Sequence, residues 1–427
     1  MGGMLLGLSL ASLSVGCNRP TSDNIQLWKT TQKGPERLHD ALADHGVAPR
    51  LRGEAAVALI DIGRIEEVDQ TFAALPADDR AEIAKTAEPA YEVAMKDPAP
   101  EKALAYRDAL FALRQYGNPD EQKRIDDALM PVIETSLKSG KLQQGRHSVE
   151  KMLTVMGRDA SSMLTRVLSE PDTPYVQAAE LLAKIGDDSA RDAGAAALIT
   201  RAPQMLTKEN KRPEVFFKAL GTLGGPAALK FLEAKVGGKD KDEALMATQA
   251  LGARRDPAVL PFALKVAADS RADKAIRDQM FGVIEGIGGL EAEKGLLGII
   301  SSDRDEIVRY RAFESVLAAR KIEGIQPGLE AFPASAPYKR VDVDDLMVKL
   351  IEKLGEPARP ALVTTLGSRV PLARMTAVMA LEQMGRAPDA PALDKLASDG
   401  AAIKGFPPGE TIGKAAARAA EVVRKKS

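Results

Sequence analysis

Residues 179–186 read Ala179-Glu180-Leu181-Leu182-Ala183-Lys184-Ile185-Gly186, and the organisation of the whole chain can be worked out from that phrase. Counted back from the glycine, Ala179, Leu182 and Ile185 stand at minus seven, minus four and minus one. Residues three and four apart stack on one side of a helix, so the spacing predicts an amphipathic helix with one apolar face. A glycine just past the last apolar residue predicts a left-handed turn that ends it.

The phrase recurs. The same offsets end at Gly63, Gly117, Gly157, Gly224, Arg254, Gly288, Arg320, Gly355 and Gly385, for example Phe217, Leu220 and Leu223 before Gly224. From Gly117 onward the intervals run from 29 residues (Gly157 to Gly186) to 40 (Gly117 to Gly157). That is room for one more helix and two turns, so each unit is predicted to be a helical hairpin, and self-similarity at this period marks a solenoid. The Gly63 to Gly117 interval is too long for one unit and contains Pro76, Pro89, Pro98 and Pro100. An extra or irregular helix is expected there, with the array irregular from about 64 to 145.

Bulk properties agree. At 427 residues the chain exceeds a single compact core, so several domains or one repetitive domain is expected. Aromatic residues are 4%, while Ala, Leu, Glu, Lys and Arg are plentiful, a balance that favours helix over sheet. With 59 Lys plus Arg against 60 Asp plus Glu, no global field attracts nucleic acid or anionic lipid. The single cysteine, Cys17, excludes an intramolecular disulfide and a Cys-rich metal site.

Met4 to Val15 is an apolar and small-residue run, too short to span a bilayer comfortably, and it ends at Gly16-Cys17 before a polar stretch. Leu13-Ser14-Val15-Gly16-Cys17 resembles the lipobox of bacterial lipoproteins, with leucine at minus four where the family prefers minus three. The resemblance implies a signal peptide over 1–17, a lipid on Cys17 that becomes the mature N-terminus, a tether over 18–33, and export. Asn18 after the cysteine implies the outer rather than the inner membrane, on its periplasmic side.

The repeats resemble the HEAT family in its short bacterial form, whose second helix opens Val-Arg and closes on an Ala-Leu-x-x-x-Gly-like end. Arginine stands at minus eleven in five units, as Arg52, Arg146, Arg277, Arg309 and Arg374, with Asp273 and Asp305 just upstream of two of them. The resemblance implies an all-α, right-handed α-solenoid of about ten hairpins over 34–400. It also implies that these arginines form an intramolecular ladder with acidic residues. Tyr175, Pro213, Glu243 and Asp344 hold the same slot elsewhere and depart from the pattern. Residues 401–427 read as a loop and an Ala-rich helix that caps the open end of the array.

No constellation for chemistry emerges. His39, His45 and His147 are the whole histidine supply, and no two lie on one helical face as H-E-x-x-H requires. HEAT-like deoxyhypusine hydroxylases bind iron through His-Glu pairs, and no His-Glu dipeptide exists here. Gly286-Ile287-Gly288-Gly289 lacks the G-x-G-x-x-G spacing and a preceding strand, so it reads as a helix end. Trp28, the one tryptophan, reads either as a plug over the first helix or as an exposed partner patch.

The expected function is therefore a non-catalytic, lipid-anchored extracytoplasmic scaffold, monomeric and without cofactor or nucleic acid, presenting its surface to a protein or envelope partner. An enzyme or accessory lyase-type subunit with an unidentified site, and a cytoplasmic HEAT adaptor without lipid, are the alternatives.

Overall fold

The computed structural model describes residues 19–302 and 305–426, and among them every regular element is helical. The fold is an all-α, HEAT-like solenoid arrangement of stacked helical hairpins. Two compact units divide at Ala202/Pro203. Cys17 and the signal-peptide reading of 1–17 lie outside the described residues.

The first unit holds α1 (Ser22–Trp28), α2 (Gly34–Ala43), α3 (Pro49–Asp61), α4 (Ile65–Ala74), α5 (Ala77–Ala94), α6 (Pro100–Leu113), α7 (Pro119–Lys138), α8 (Val149–Met156), α9 (Ser161–Ser169), α10 (Tyr175–Ile185) and α11 (Asp188–Ile199). The division falls inside the single turn α12 (Ala202–Met205). The second unit continues with α13 (Pro213–Leu223), α14 (Gly225–Val236), α15 (Lys241–Gly252), α16 (Leu260–Ala268), α17 (Lys274–Ile287), α18 (Gly289–Ser302), α19 (Glu306–Arg320) and α20 (Ile325–Glu330). It ends with α21 (Arg340–Val343), a π-helical turn over Asp344–Val348, α22 (Lys349–Glu352), α23 (Arg359–Thr365), α24 (Pro371–Met384), α25 (Ala390–Asp394) and α26 (Ile412–Arg424).

In the second unit the hairpins are α14/α15, α16/α17, α18/α19, α23/α24 and α25/α26, and α13, α15, α17 and α19 stack on one another in turn. The first unit is less regular. Its α3 packs on both α2 and α5, α5 packs on α6, and α9 packs on both α10 and α11. Both α4 and α5 stand between Gly63 and the helix that leads to Gly117. Two of its helices carry an internal proline, Pro89 in α5 and Pro131 in α7, each removing one ladder hydrogen bond.

Burial sharpens the repeated phrase. The residues at minus seven and minus four are buried in every unit that carries them, from Ala56 and Leu59 to Val378 and Leu381. Those at minus one vary: Ile62, Ile185, Ile287 and Met384 are half-buried, Ala253 and Ala319 exposed, and Met156 and Leu223 buried. Geometry explains this: three residues advance a helix by 300°, so two such steps swing minus one about 120° away from minus seven. Buried instead are minus eight and minus five, as Ala178 and Leu181, Phe216 and Ala219, Met280 and Val283, and Ala377 and Ala380. Each of these helices thus has two buried stripes, one for its hairpin partner and one for the next unit.

The glycine at the end of the phrase has two distinct roles. Gly63, Gly157, Gly224, Gly288 and Gly355 do turn to positive φ, between 61° and 78°. Gly186 does not, which corrects the expectation: its φ is −76° and ψ 148°. What it needs is space, because a Cβ there would sit 2.7 Å from the Leu182 carbonyl oxygen and 3.3 Å from the Ala190 Cβ. Where arginine replaces the glycine, the left-handed residue comes one position later and is not glycine: Arg255 at φ 53° and Lys321 at φ 52°.

The tether expected over 18–33 is also corrected. Thr21 caps α1 through Asn24 N–H (3.2 Å), Ile25 and Trp28 are buried, and α1 packs on α2 and α3. Arg50 donates to Ser22 and Lys29 pairs with Asp61 at 2.9 Å, which bind this segment to the hairpin it covers. At the other end, α26 lays Ile412, Ala416, Ala419 and Val423 against α24 and α25, leaving Val422 outward. The loop before it returns to an earlier turn, where Tyr338 N–H donates to the Lys404 carbonyl at 2.7 Å and Arg340 and Arg418 both hold Glu410.

Candidate interaction surfaces

Four of the five predicted ladder arginines occupy helices, and three reach an acidic residue one repeat onward. Arg52, almost fully buried on α3, donates from Nε to the Leu42 carbonyl (2.8 Å) and from Nη1 to Asp79 (2.9 Å). Arg277 on α17 faces Asp305 at 3.6 Å, and Arg374 on α24 binds Asp399 at 2.8 Å and the Ser368 carbonyl at 2.7 Å. Arg309 on α19 is buried with its guanidinium 5.8 Å from the Tyr338 ring centre. Two of the departing slots are compensated. Beside Glu243, Lys241 supplies the bond to Asp273 (3.1 Å), and over Tyr175 the buried Arg201 stacks at 5.0 Å.

Arg146 is the exception and a correction. It lies in the loop before α8, and its Nη1 reaches back to Asp69 on α4 at 2.6 Å. The device that fixes this loop is a pair the spacing argument missed, Arg107 and Asp108 on α6, both essentially inaccessible. Arg107 Nη2 donates to the Gln144 (2.6 Å) and His147 (3.0 Å) carbonyls, while Asp108 accepts from Arg146 N–H. Gly145 sits at φ 80° between them, where a Cβ would come 2.4 Å from Arg107 Nη2. The signal was present as two adjacent charges inside an otherwise apolar run, Tyr106 to Phe111.

A second ladder runs along other helices. Arg124–Glu88, Arg166–Glu134, Lys184–Glu150, Arg359–Asp389, Arg386–Glu356 and Arg424–Asp394 join residues 30 to 36 apart, one repeat each time. Most of these charges are therefore engaged in stacking the hairpins.

The histidines stay apart: His39 beside Asp40, His45 beside Asp79, and His147 against the Phe111 ring and 3.3 Å from Lys151 Nζ. Burial first, then Lys151, pushes the His147 imidazole below its ordinary range. Among the described residues no group of three or more His, Cys, Asp or Glu is placed to hold a metal ion. No described helix is long and apolar enough to cross a membrane.

Trp28 is 2% exposed, with the Arg37 guanidinium 5.9 Å from its ring, so an exposed patch centred on it is excluded, and its neighbour Leu27 faces outward instead. Large apolar side chains are exposed in the second unit: Leu290, Ile307 and Val341, each in the first turn of its helix. Beside the turns that lead into α15 and α17 lies a cleft of about 580 Å³ whose walls include Val236, Phe262, Val266 and Ile276.

No family model matches the chain, and no curated protein does. Among solved structures it is similar to the karyopherin Kap121p bound to the extreme C-terminus of the protein phosphatase Cdc14p, at 12% identity and TM-score 0.37, over 94% of this chain and 43% of that one. It is also similar to a chain of the Pds5–Scc1 complex, at 11% identity and TM-score 0.35, over 93% and 72%. Human deoxyhypusine hydroxylase matches at 14% identity and TM-score 0.18, over 81% and 98%. The chain spans less than half the length of the karyopherin chain. At such identities a likeness concerns fold alone.

Proposed function

We propose that this protein is a non-catalytic scaffold that binds another protein through the surface its stacked hairpins present. The observation that carries the reading is the exposure of Ile307 and Val341, 65% and 59%, in the first turns of α19 and α21. The repeated apolar positions are consumed in packing helix on helix, and Ile307 and Val341 are large apolar residues that this packing leaves in water, available to a partner. We further propose that the scaffold is a monomer anchored by lipid on Cys17, on the periplasmic side of the outer membrane. The lipobox-like Leu13-Ser14-Val15-Gly16-Cys17 supports this.

Two experiments test the reading. Chemical cross-linking in cells followed by purification should recover a defined partner with the wild-type chain and lose it with Ile307→Asp/Val341→Asp, at unchanged thermal stability. Recovery of the same proteins by the double variant, or of none by wild type, removes the basis for the scaffold. Palmitate labelling that disappears in Cys17→Ala supports the anchor, and a full-length wild-type protein that takes up no label refutes it.

A further inference from the structure

In the second unit α16 packs along α18, whereas α14 and α16 are not packed on each other in this way. The opening between them is the cleft of about 580 Å³, closed at its base by α15 and α17 through Ala244 and Ile276. Its floor is apolar: Val236, Ala244 and Ile276 are buried, and Phe262 and Val266 are half-buried with one side toward the opening. The rim carries Lys239, Lys241, Lys265 and Arg271, all exposed.

The acidic groups at this rim are already engaged. Asp269 accepts from Arg271 N–H (2.9 Å) and Nε (3.1 Å), and Asp273 caps α17 through Ala275 N–H (2.9 Å) while holding Lys241 Nζ (3.1 Å). Asp240 caps α15 through two N–H groups at 3.0 Å, and Glu243 takes Lys235 at 2.7 Å. Among the described residues, Lys239 and Lys265 form no ion pair. An apolar slot with two uncompensated ammonium groups at its lip is complementary to a segment that offers an apolar side chain flanked by carboxylates.

We propose that the α14/α16 cleft docks an acidic, amphipathic peptide segment of a partner protein. A Leu or Phe side chain of the peptide seats on Phe262, Val266 and Ile276, and Asp or Glu residues on either side meet Lys239 and Lys265. The assignment rests on the scaffold reading above and names the chemistry of what the scaffold takes.

The test uses the full-length protein and a fluorescein-labelled dodecapeptide of Glu interspersed with Leu and Phe, read by fluorescence anisotropy. Saturable binding is expected, weakened about tenfold in Lys239→Glu/Lys265→Glu and unchanged in Lys353→Glu, a charge reversal at an exposed lysine on another turn. Replacing the peptide's Leu and Phe by Ala, or its Glu by Lys, should abolish binding. Equal affinity for the Glu and Lys peptides, indifference to the double variant, or no binding overturns the proposal. So does loss of binding to phosphatidylglycerol vesicles in the double variant without any peptide binding, which would make the patch a lipid-facing one. Circular dichroism checks that the variants are folded. If the cross-linked partner is still recovered by the double variant, the cleft assignment fails while the scaffold stands; if no partner is recovered by wild type, the scaffold itself fails.

Discussion

The two units build similar hairpins and hold them differently. In the first, Arg52, Glu88, Arg107, Asp108, Asp126 and Arg201 are buried, whereas in the second the buried charges among the described residues are Arg309 and Asp389. The second unit stacks on apolar and small residues at intervals near the repeat length. Its α24 buries a nearly continuous face from Leu372 to Leu381, including Ala373, Ala377 and Ala380. In the first, the loop over 139–148 is long and largely irregular, and beyond its first N–H groups, which bond to the last carbonyls of α7, its backbone groups need side-chain partners. The buried Arg107–Asp108 pair provides them for Gln144, Arg146 and His147. The fully buried Arg107–Asp108 pair thus stands where the repeat is broken, while Arg52 and Arg309 are buried in the recurring minus-eleven slot of regular hairpins.

If that contrast is right, cutting the Arg107 clamp should have the largest effect. Arg107→Ala leaves Asp108 buried without its cation and the Gln144 and His147 carbonyls without a donor. The expected cost is about 3–5 kcal/mol. Hydrogen exchange should show protection lost over 100–156 and kept over 260–385, since hairpin arrays couple mainly to nearest neighbours. Equal loss in both units, or a cost under about 1 kcal/mol, would show that the clamp is not what holds the irregular half.

The second unit should instead be sensitive to added volume. A Cβ on Gly385 would lie 2.4 Å from the Leu381 carbonyl oxygen and 2.9 Å from Val423 Cγ1, so Gly385→Ala must shift either α24 or the capping helix α26. Overpacking of this kind costs about 1–3 kcal/mol. Thermal unfolding of the alanine variant should begin at the C-terminal cap. A variant as stable as wild type would mean that α26 is loosely docked.

Backbone strain in the second unit predicts a gain. Lys321 adopts φ 52° and ψ −124°, close to Gly157 at 61° and −128°, a region that side chains avoid. Lys321→Gly should stabilise the protein by about 1 kcal/mol, measured as a shift in the urea midpoint without a change in slope. A loss of stability would show that the lysine side chain contributes more than its backbone costs.

What could be read from the sequence follows the same division. The recurring minus-seven and minus-four positions identified the anchor helices in both units because burial of that face is local to each helix. The minus-eleven arginines Arg52, Arg277 and Arg374 face Asp79, Asp305 and Asp399, ion pairs whose spacing follows the repeat. Arg146 was misplaced because counting back from Gly157 assumes a full-length helix, and α8 has only eight residues. Burial of Trp28 and the conformation of Gly186 depend on neighbours distant in sequence or on close contacts, which a spacing rule cannot contain. The α14/α16 cleft was not legible at all, because it arises from how two helices distant in sequence are spaced.

The smallest expected effect probes the inter-repeat ion pairs. Glu134 on α7 receives both arms of Arg166 on α9 and a bond from Lys138, and these hold its carboxyl below the ordinary 4.5 despite the opposing effect of partial burial. A carboxyl whose folded pKa is depressed stabilises fully above its unfolded value and loses that contribution as pH falls through the folded value. Wild type should therefore exceed Glu134→Gln by about 1 kcal/mol or less at pH 6, and the difference should close below pH 4.5 as the carboxylate is protonated. Arg166 is about half exposed, so 1 M salt should also shrink the difference at pH 6. In the second unit the corresponding Glu356→Gln should change less, because Glu356 is 55% exposed even though Arg359 and Arg386 both reach it. A Glu134 effect that persists unchanged at pH 3 would mean that the side chain acts through packing against its neighbours. The ladder would then owe its regular spacing to the helices it joins, without adding to their stability.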